Sequence, residues 1–405
     1  FFSKSEEVNK WWENIMPIQG KPSIDDKLLK RKKILQKNGP DPECEDNVML
    51  IRDRVSRIFY DNKFFDYPIK INYKTIKNMR FITTVRAGFS YLLASVHKKE
   101  ETSLENFYIN RFGKVLYSMF FEGYTEKLWG RHPREISADW GEQRVKGLSV
   151  KKILKDIFSK TFRVKSDNGK LETSLIEEFH YPKYGPGQMW EMAAKKFEDM
   201  GGIIKKNSRV LKINNKNGHV ESLEYKENEK IHEIEADIVI SSMPLKNLID
   251  GMNSVPNDIK RIANGLPYRD YVTIGILVDH LKIENHTKIK TLNNIVPDDW
   301  IYVQDTEVKL GRIQVYNNWS PYMVKDRSKV WIGLEYFCNE EDEFYNMTEE
   351  ESICFAGREL VKMGIIASAD EIITAHREKV KKAYPAYFDT YSEIDKLVKY
   401  LNEID

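Results

Sequence analysis

Between Phe120 and Leu148 the chain reads FFEGYTEKLWGRHPREISADWGEQRVKGL. Aromatic side chains (Phe120, Phe121, Tyr124, Trp129, Trp140) are interleaved there with cations (Lys127, Arg131, Arg134, Arg144, Lys146) and broken by Gly123, Gly130, Gly141 and Gly147. Such residues can line a pocket: aromatic faces stack on flat rings, guanidinium forks match phosphate or carboxylate oxygens, and glycines let backbone approach a ligand. The same composition also describes two helices packed through their aromatics around a turn, since buried aromatics are ordinary core. Two other chemistries lack their residues. No Ser/His/Asp set stands out, the eight histidines show no HxxxH spacing, and Cys44, Cys338 and Cys354 form no CxxC or Cys/His ligand pattern.

The run Tyr124-Thr125-Glu126-Lys127-Leu128-Trp129-Gly130-Arg131, followed by Glu135 and Ala138, resembles the Y-T-x-K-x-W-G-x motif of UDP-galactopyranose mutases. Those are FAD enzymes that share a fold with protoporphyrinogen and amine oxidases. The longer stretch, with its ISADW and QRVKGLS, is similar to a bacterial branch described as FAD-dependent oxidoreductases. The chain can be laid on the mutase pattern along its whole length. Asp66-Tyr67-Pro68-Ile69 resembles a segment near the substrate, Gly311-Arg312-Ile313 the stretch whose arginine grips the diphosphate, and Ala383-Tyr384-Pro385 the stretch whose tyrosine reaches the phosphates. Tyr391 falls near a late tyrosine pair of the site. At equal spacing from the tryptophan of a second mutase arginine this chain has Gln143, and Arg144 comes one residue later. The resemblance implies substrate contacts at Tyr124, Trp129, Arg144, Arg312, Tyr384 and Tyr391. It implies FAD contacts at Val210, Met243 and Pro244. Gln188 and Met189, in Gly185-Pro186-Gly187-Gln188-Met189-Trp190, stand where the mutases set an aromatic residue against uracil.

What must position these residues follows from composition and periodicity. At 405 residues, 41% hydrophobic, the chain can bury a large core in two or three domains. Lys plus Arg number 64 against 62 Asp plus Glu, a net charge of +2, so no broad field for nucleic acid or membrane is expected. Three scattered cysteines suit a reducing cytoplasm, and no apolar run approaches the roughly 20 residues of a membrane span. Helical spacing marks residues 1–20, 75–118 and the segment from Thr348, with capping boxes expected at Thr102/Glu105 and Thr348/Glu351. Val48–Ile51 and Arg57–Tyr60 read as short strands around a turn. Ile203-Ile204 and Arg209–Ile213 read as strands, the latter leading to a hairpin turn at 214–218, and 236–244 reads as a buried parallel-type strand. Four strands follow, Tyr271–Val278, Trp300–Val303, Arg312–Tyr316 and Val330–Phe337, expected to form an antiparallel sheet.

The expected fold is mixed α/β (α+β): an incomplete Rossmann-like FAD-binding region, an inserted helical domain and an antiparallel substrate-binding sheet. The division runs 1–45 and 166–255 for the FAD region, 46–165 for the helical cap, and 256–405 for the sheet with the C-terminal helices. The chain begins at Phe1 and holds no GxGxxG, so it reads as a fragment that binds FAD poorly. The function implied is a flavoenzyme of mutase type acting on a nucleotide sugar through reduced FAD, with NADPH or NADH as reductant and room for a homodimer. The alternatives are a hydride-removing oxidoreductase of the protoporphyrinogen or amine oxidase type, and a non-catalytic sugar-nucleotide binder. Arg312 opens a strand, a position expected to be exposed, where substitution typically costs within about 0.5 kcal/mol of stability.

Overall fold

The structure, a computed structural model, describes residues 1–67, 69, 73–139, 141, 178–216 and 218–404. Pro68, Trp140, Gln143, Arg144 and the charged stretch 165–171 lie outside the described residues. Two compact units form, Phe1–Met200 with Tyr271–Val380, and Gly201–Asp270 with Lys381–Asp405. The result is a mixed α/β fold with separate helical and sheet regions. No helix among the described residues is long and apolar enough to cross a membrane.

Helix α1 (Glu6–Ile15) starts at Ser5, whose hydroxyl accepts from the Val8 N–H. After α2 (Ile24–Leu29) come strands β1 (Met49–Asp53), β2 (Ser56–Tyr60) and β3 (Lys63–Asp66). β1 and β2 do not pair with each other around the intervening turn. β1 pairs antiparallel with β4 (Glu178–Pro182), and β2 pairs with β3. The helical region comprises α3 (Tyr73–Met79), α4 (Phe81–Val96), α5 (Leu104–Tyr117), a π-helical turn at Ser118–Glu122, and α6 (Gly123–Trp129). α5 is capped by Ser103, which accepts from the Asn106 N–H, one residue later than the Thr102 box expected. The serine oxygen reaches the third helical amide and makes the same satisfaction of an orphan donor. α7 (Pro186–Asp199) closes this part of the first unit.

In the second unit β5 (Ser208–Lys216), β6 (His219–Glu227) and β7 (Lys230–Glu235) form an antiparallel meander, followed by α8 (Leu245–Gly251) and α9 (Asn257–Asn264). Two expected strands are absent. Residues 203–204 and 236–244 have no strand pairing, and Ile203, Ile238 and Ile240 are exposed. An apolar run becomes a strand only beside an available edge, which periodicity cannot supply.

The third sheet contains β8 (Tyr268–Val278), β9 (Trp300–Val303), β10 (Arg312–Val315), β11 (Val330–Cys338) and β12 (Ile372–Pro385), in the order β12-β8-β11-β10-β9-β2-β3. β10 is antiparallel to both neighbours, but β2 runs parallel to β9. The expected strands β9, β10 and β11 are antiparallel, and the whole sheet is mixed because a strand from far upstream occupies the free edge of β9. Strict alternation along β8, β10 and β11 turns Ile274, Ile276, Ile313, Val315, Ile332 and Leu334 to one face. There they join Ala356 and Leu360 of helix α12 (Glu349–Lys362), which follows two short helices, α10 (Tyr316–Trp319) and α11 (Glu343–Asn346). α12 carries the expected capping box, Thr348 with Glu351. The chain ends in α13 (Ile394–Asn402).

Where β1 and β2 enter the first unit, buried ions meet. Arg52 binds Asp25 at 2.8 Å, the Arg57 Nε donates to Asp298 at 2.9 Å, and Asp299 accepts from the Val55 N–H at 2.8 Å. Burial, with the Asp298 charge adding to it, pushes the Asp299 carboxyl up from 3.8 to about 8. The folded chain thus holds that proton more tightly than the unfolded chain. Its contribution to stability is complete below about pH 4 and is lost as pH rises through about 8. Asp299→Asn keeps the acceptor oxygen, so its melting temperature should fall less between pH 5 and pH 8 than the wild type's. Parallel melting curves across that range would contradict the assignment.

Candidate functional site

The sheet face turned away from α12 carries the polar residues that alternation leaves over. Arg312 lies opposite Tyr302 on one neighbour and Glu335 on the other. The Arg312 Nε donates to Glu335 Oε2 at 2.7 Å, its Nη2 lies against the same oxygen, and the Gln314 amide donates to Oε1. Glu335 is only 5% exposed, so this carboxylate depends on those donors for its solvation. Aromatic rings surround the group. The Arg312 guanidinium stands 5.4 Å over Phe337, and Tyr124 meets Tyr302 and Phe337 edge-on at 5.5 and 6.3 Å. Tyr67 packs on Tyr302 at 4.7 Å, while Trp300 stacks on Trp319 at 5.4 Å. Gly333 is required beside them, because a Cβ there would collide with the Tyr316 hydroxyl. Burial, with the Glu335 charge next, pushes that hydroxyl up to about 12. A guanidinium, a carboxylate and an amide within an aromatic rim can receive ring faces, hydroxyls and anionic oxygens.

Tyr124 reaches this face because α6 is clamped to the β9–β10 connection. The Lys127 ammonium donates to the carbonyls of Val303 (3.3 Å), Leu310 (3.1 Å) and Asp305. From the other side Glu359 of α12 accepts from the backbone N–H groups of Lys309 and Leu310. Burial lowers the Lys127 ammonium to about 8, and Glu359 and Asp305 oppose that shift. Gly123 lets the helix start approach, since a Cβ there would stand 2.6 Å from Thr306 Cγ2. The lysine of the Tyr-Thr-Glu-Lys run is thus an anchor, and the tyrosine three residues before it is the member presented to the site.

Of the residues singled out from sequence, the first unit brings Tyr124 and Arg312 together through Phe337 and Tyr302. Trp129 is 6% exposed and packs in the core. Arg144 is outside the described residues. Val210, Met243, Pro244, Tyr384 and Tyr391 belong to the second unit, where Met243 and Tyr391 pack against the cluster around Ile213 and Ile249. Arg312 is not the exposed strand residue expected, because the hairpin register sets it against a buried carboxylate. Glu335, Gln314, Trp300 and Tyr302 went unrecognised. Their signal was present: they are the polar or aromatic alternates of strands read correctly. A cleft of about 770 Å³ lined by Tyr60, Phe65, Arg80, Lys114, Asp305 and Lys362 contains none of the residues singled out from sequence. No group of three His, Cys, Asp or Glu among the described residues could hold a metal, and the three cysteines form no disulfide.

FAD needs an edge for its adenine and a cradle for its pyrophosphate. β5 is an edge of its sheet, Val210 is half-exposed, and a register shift between Val210 and Lys212 takes Leu211 out of the ladder. The cradle has no counterpart, since no GxGxxG occurs in the 405 residues. At the Gly-Pro-Gly turn before α7, the Gln188 side chain is taken up by the Tyr184 N–H and the Asp46 carbonyl. Among the described residues no glycine-rich turn takes the place of that cradle.

No protein-family model matches the sequence, and no curated protein matches it. Solved structures do. A crystal structure of reduced UDP-galactopyranose mutase superposes with a TM-score of 0.67 at 17% identity, over 87% of this chain and 72% of that one. A protein from an Exiguobacterium species described as a protoporphyrinogen oxidase gives 0.59 at 12% identity, over 87% and 75%. An oxidoreductase from Methanosarcina mazei gives 0.52 at 12%, over 84% and 72%. At these identities the likeness is one of fold.

Replacing Lys127 by alanine removes a donor from three part-buried carbonyls. Lys127→Ala should lower unfolding free energy by about 3 kcal/mol in urea titration. A loss under about 0.5 kcal/mol, the level of an ordinary surface substitution, would show that the clamp is not formed.

Proposed function

Starting from the fold of the FAD-dependent amine oxidase and protoporphyrinogen oxidase superfamily, we propose that this chain belongs to a flavoenzyme of UDP-galactopyranose mutase type that acts on a nucleotide sugar. The observation that carries the reading is Arg312 on the sheet face turned away from α12, within the aromatic rim of Tyr124, Tyr302 and Phe337. A nucleotide diphosphate needs a fixed cation for its oxygens and flat faces for its rings, and this face offers both. In this reading Arg312 binds the diphosphate, Tyr124 lines the sugar side, and Trp129 holds the motif in place. Arg144, Tyr384 and Tyr391 supply further substrate contacts, and Val210, Met243 and Pro244 supply backbone for FAD. Reduced FAD would supply the nucleophile of a redox-neutral isomerisation, with NADPH or NADH as the source of electrons. The division into FAD region, helical cap and substrate sheet belongs to the same proposal, as do a cytoplasmic location and a homodimer.

Glu335 favours a second reading. Its carboxylate already engages Arg312, so a diphosphate must compete for the guanidinium, whereas a cationic amine would be received by Glu335 and Gln314. That is the chemistry of an oxidoreductase of amine oxidase type, removing hydride from a small organic substrate.

Calorimetric titration separates the two. UDP and UDP-galactose should bind the chain, and Arg312→Lys should weaken them about 10-fold, because a point charge replaces a bidentate fork. The chain should retain little flavin absorbance after incubation with FAD and desalting. If UDP compounds bind neither protein while a diamine binds and loses affinity in Glu335→Gln, the mutase reading fails and the oxidoreductase reading replaces it.

A further inference from the structure

Helix α4 has two unlike faces. Ala87 and Ala94 are buried on the side that packs on α5. On the opposite side Ile82, Val85, Phe89, Leu92 and Val96 recur at steps of three and four, with Phe81 and Leu93 beside them, and all seven are between 49% and 77% exposed. At about 100° per residue they form a stripe about 120° wide along a helix about 24 Å long. The stripe presents on the order of 800 Å² of apolar surface, more than the few hundred that a soluble monomer leaves uncovered.

Along the segment that carries it the charge has one sign, while Asp61, Asp305 and Glu307 line one cleft with Arg80 and Arg86. Between Asp66 and Glu100 the sequence holds seven Lys or Arg and no Asp or Glu, in a chain whose net charge is only +2. Lys77 and Arg80 stand exposed before the helix, Lys98 and Lys99 after it, and Arg86, its one charged residue, is exposed at the margin of the stripe. Arg80 lies 3.6 Å from Asp61, an exposed pair of little strength. A second copy on this face would bring the acid-free segment against itself, cation facing cation, as a two-fold interface demands. An anionic bilayer supplies both complements, an acyl boundary for the stripe and phosphates for the cations at its ends and edge. The helix is too short to span hydrocarbon and carries Arg86 near its middle, so it lies in the interface, with the arginine stem on the apolar surface and its head among the phosphates.

We propose that α4 is a docking helix that seats the first unit on an anionic lipid surface. The test is sedimentation of the full chain with vesicles of phosphatidylcholine alone and of phosphatidylcholine mixed with phosphatidylglycerol. The chain should pellet with the mixed vesicles and much less with the neutral ones. Phe89→Asp combined with Leu92→Asp should weaken binding at least about 10-fold, and Arg86→Glu about 5-fold or more on the mixed vesicles. All three positions are exposed, and circular dichroism melts check that the variants fold. Should the double variant fail to fold, Arg86→Glu decides alone. A chain that stays in the supernatant with the mixed vesicles overturns the proposal. So does a lipid-free dimer in sedimentation equilibrium that the Phe89/Leu92 variant dissociates, because a second copy then covers the stripe.

Discussion

Two-residue alternation in a sheet sealed on one side is the constraint from which the rest of the first unit follows. Once Ile274, Ile313, Leu334 and their neighbours are committed to the core under α12, every intervening side chain of β9, β10 and β11 must face the other way. A register slip of one residue would bury Arg312 and expose Ile313. The opposite face therefore collects an arginine, a glutamate, a glutamine and several aromatics, and a carboxylate as buried as Glu335 is tolerable only with donors on both oxygens. Arg312 and Gln314 are those donors. The same pairing that solvates Glu335 fixes the guanidinium in the position from which a ligand would meet it.

The clamp at the β9–β10 connection serves that face from outside the sheet. Lys127 and Glu359 hold opposite sides of one short connection, the lysine through carbonyls and the glutamate through N–H groups. Neither needs a ligand to explain its burial. Tyr124 is positioned by the lysine three residues on and by Gly123 just before it, so a motif that reads as a pocket wall divides into an anchor, a core tryptophan and one presented ring. Burial and hydrogen bonding separate these roles where composition alone could not.

Strands 300–303 and 330–337 and the Thr348/Glu351 box were legible because they rest on local signals: β-branched and aromatic runs, and a cap closed within four residues. Pairing was not legible. β2 lies parallel to β9 although the paired residues, such as Ser56 and Trp300, are about 240 positions apart, and nothing in either segment encodes the other. Residues 236–244 carry an apolar run as strong as any strand, yet without a neighbouring edge they form no strand, and Ile238 and Ile240 are exposed. Arg312 was recognised through resemblance and misjudged in its surroundings, because its partner is set by register with β11 rather than by its own neighbours. The exposed stripe of α4 was read as ordinary helical periodicity. Spacing shows that one face differs from the other, and only burial shows that the apolar face is the one left open.

Arg312 and Glu335 form one unit on the sheet face turned away from α12, and a double-mutant cycle measures it. Urea unfolding of the wild type, Arg312→Met, Glu335→Gln and the double variant yields the coupling between the two side chains. For a half-buried guanidinium bonded to a buried carboxylate the coupling should be at least about 1.5 kcal/mol, with the double variant more stable than the single losses would add up to. Losses that add within about 0.5 kcal/mol would mean that the two side chains do not depend on each other, and that this face has no fixed polar centre.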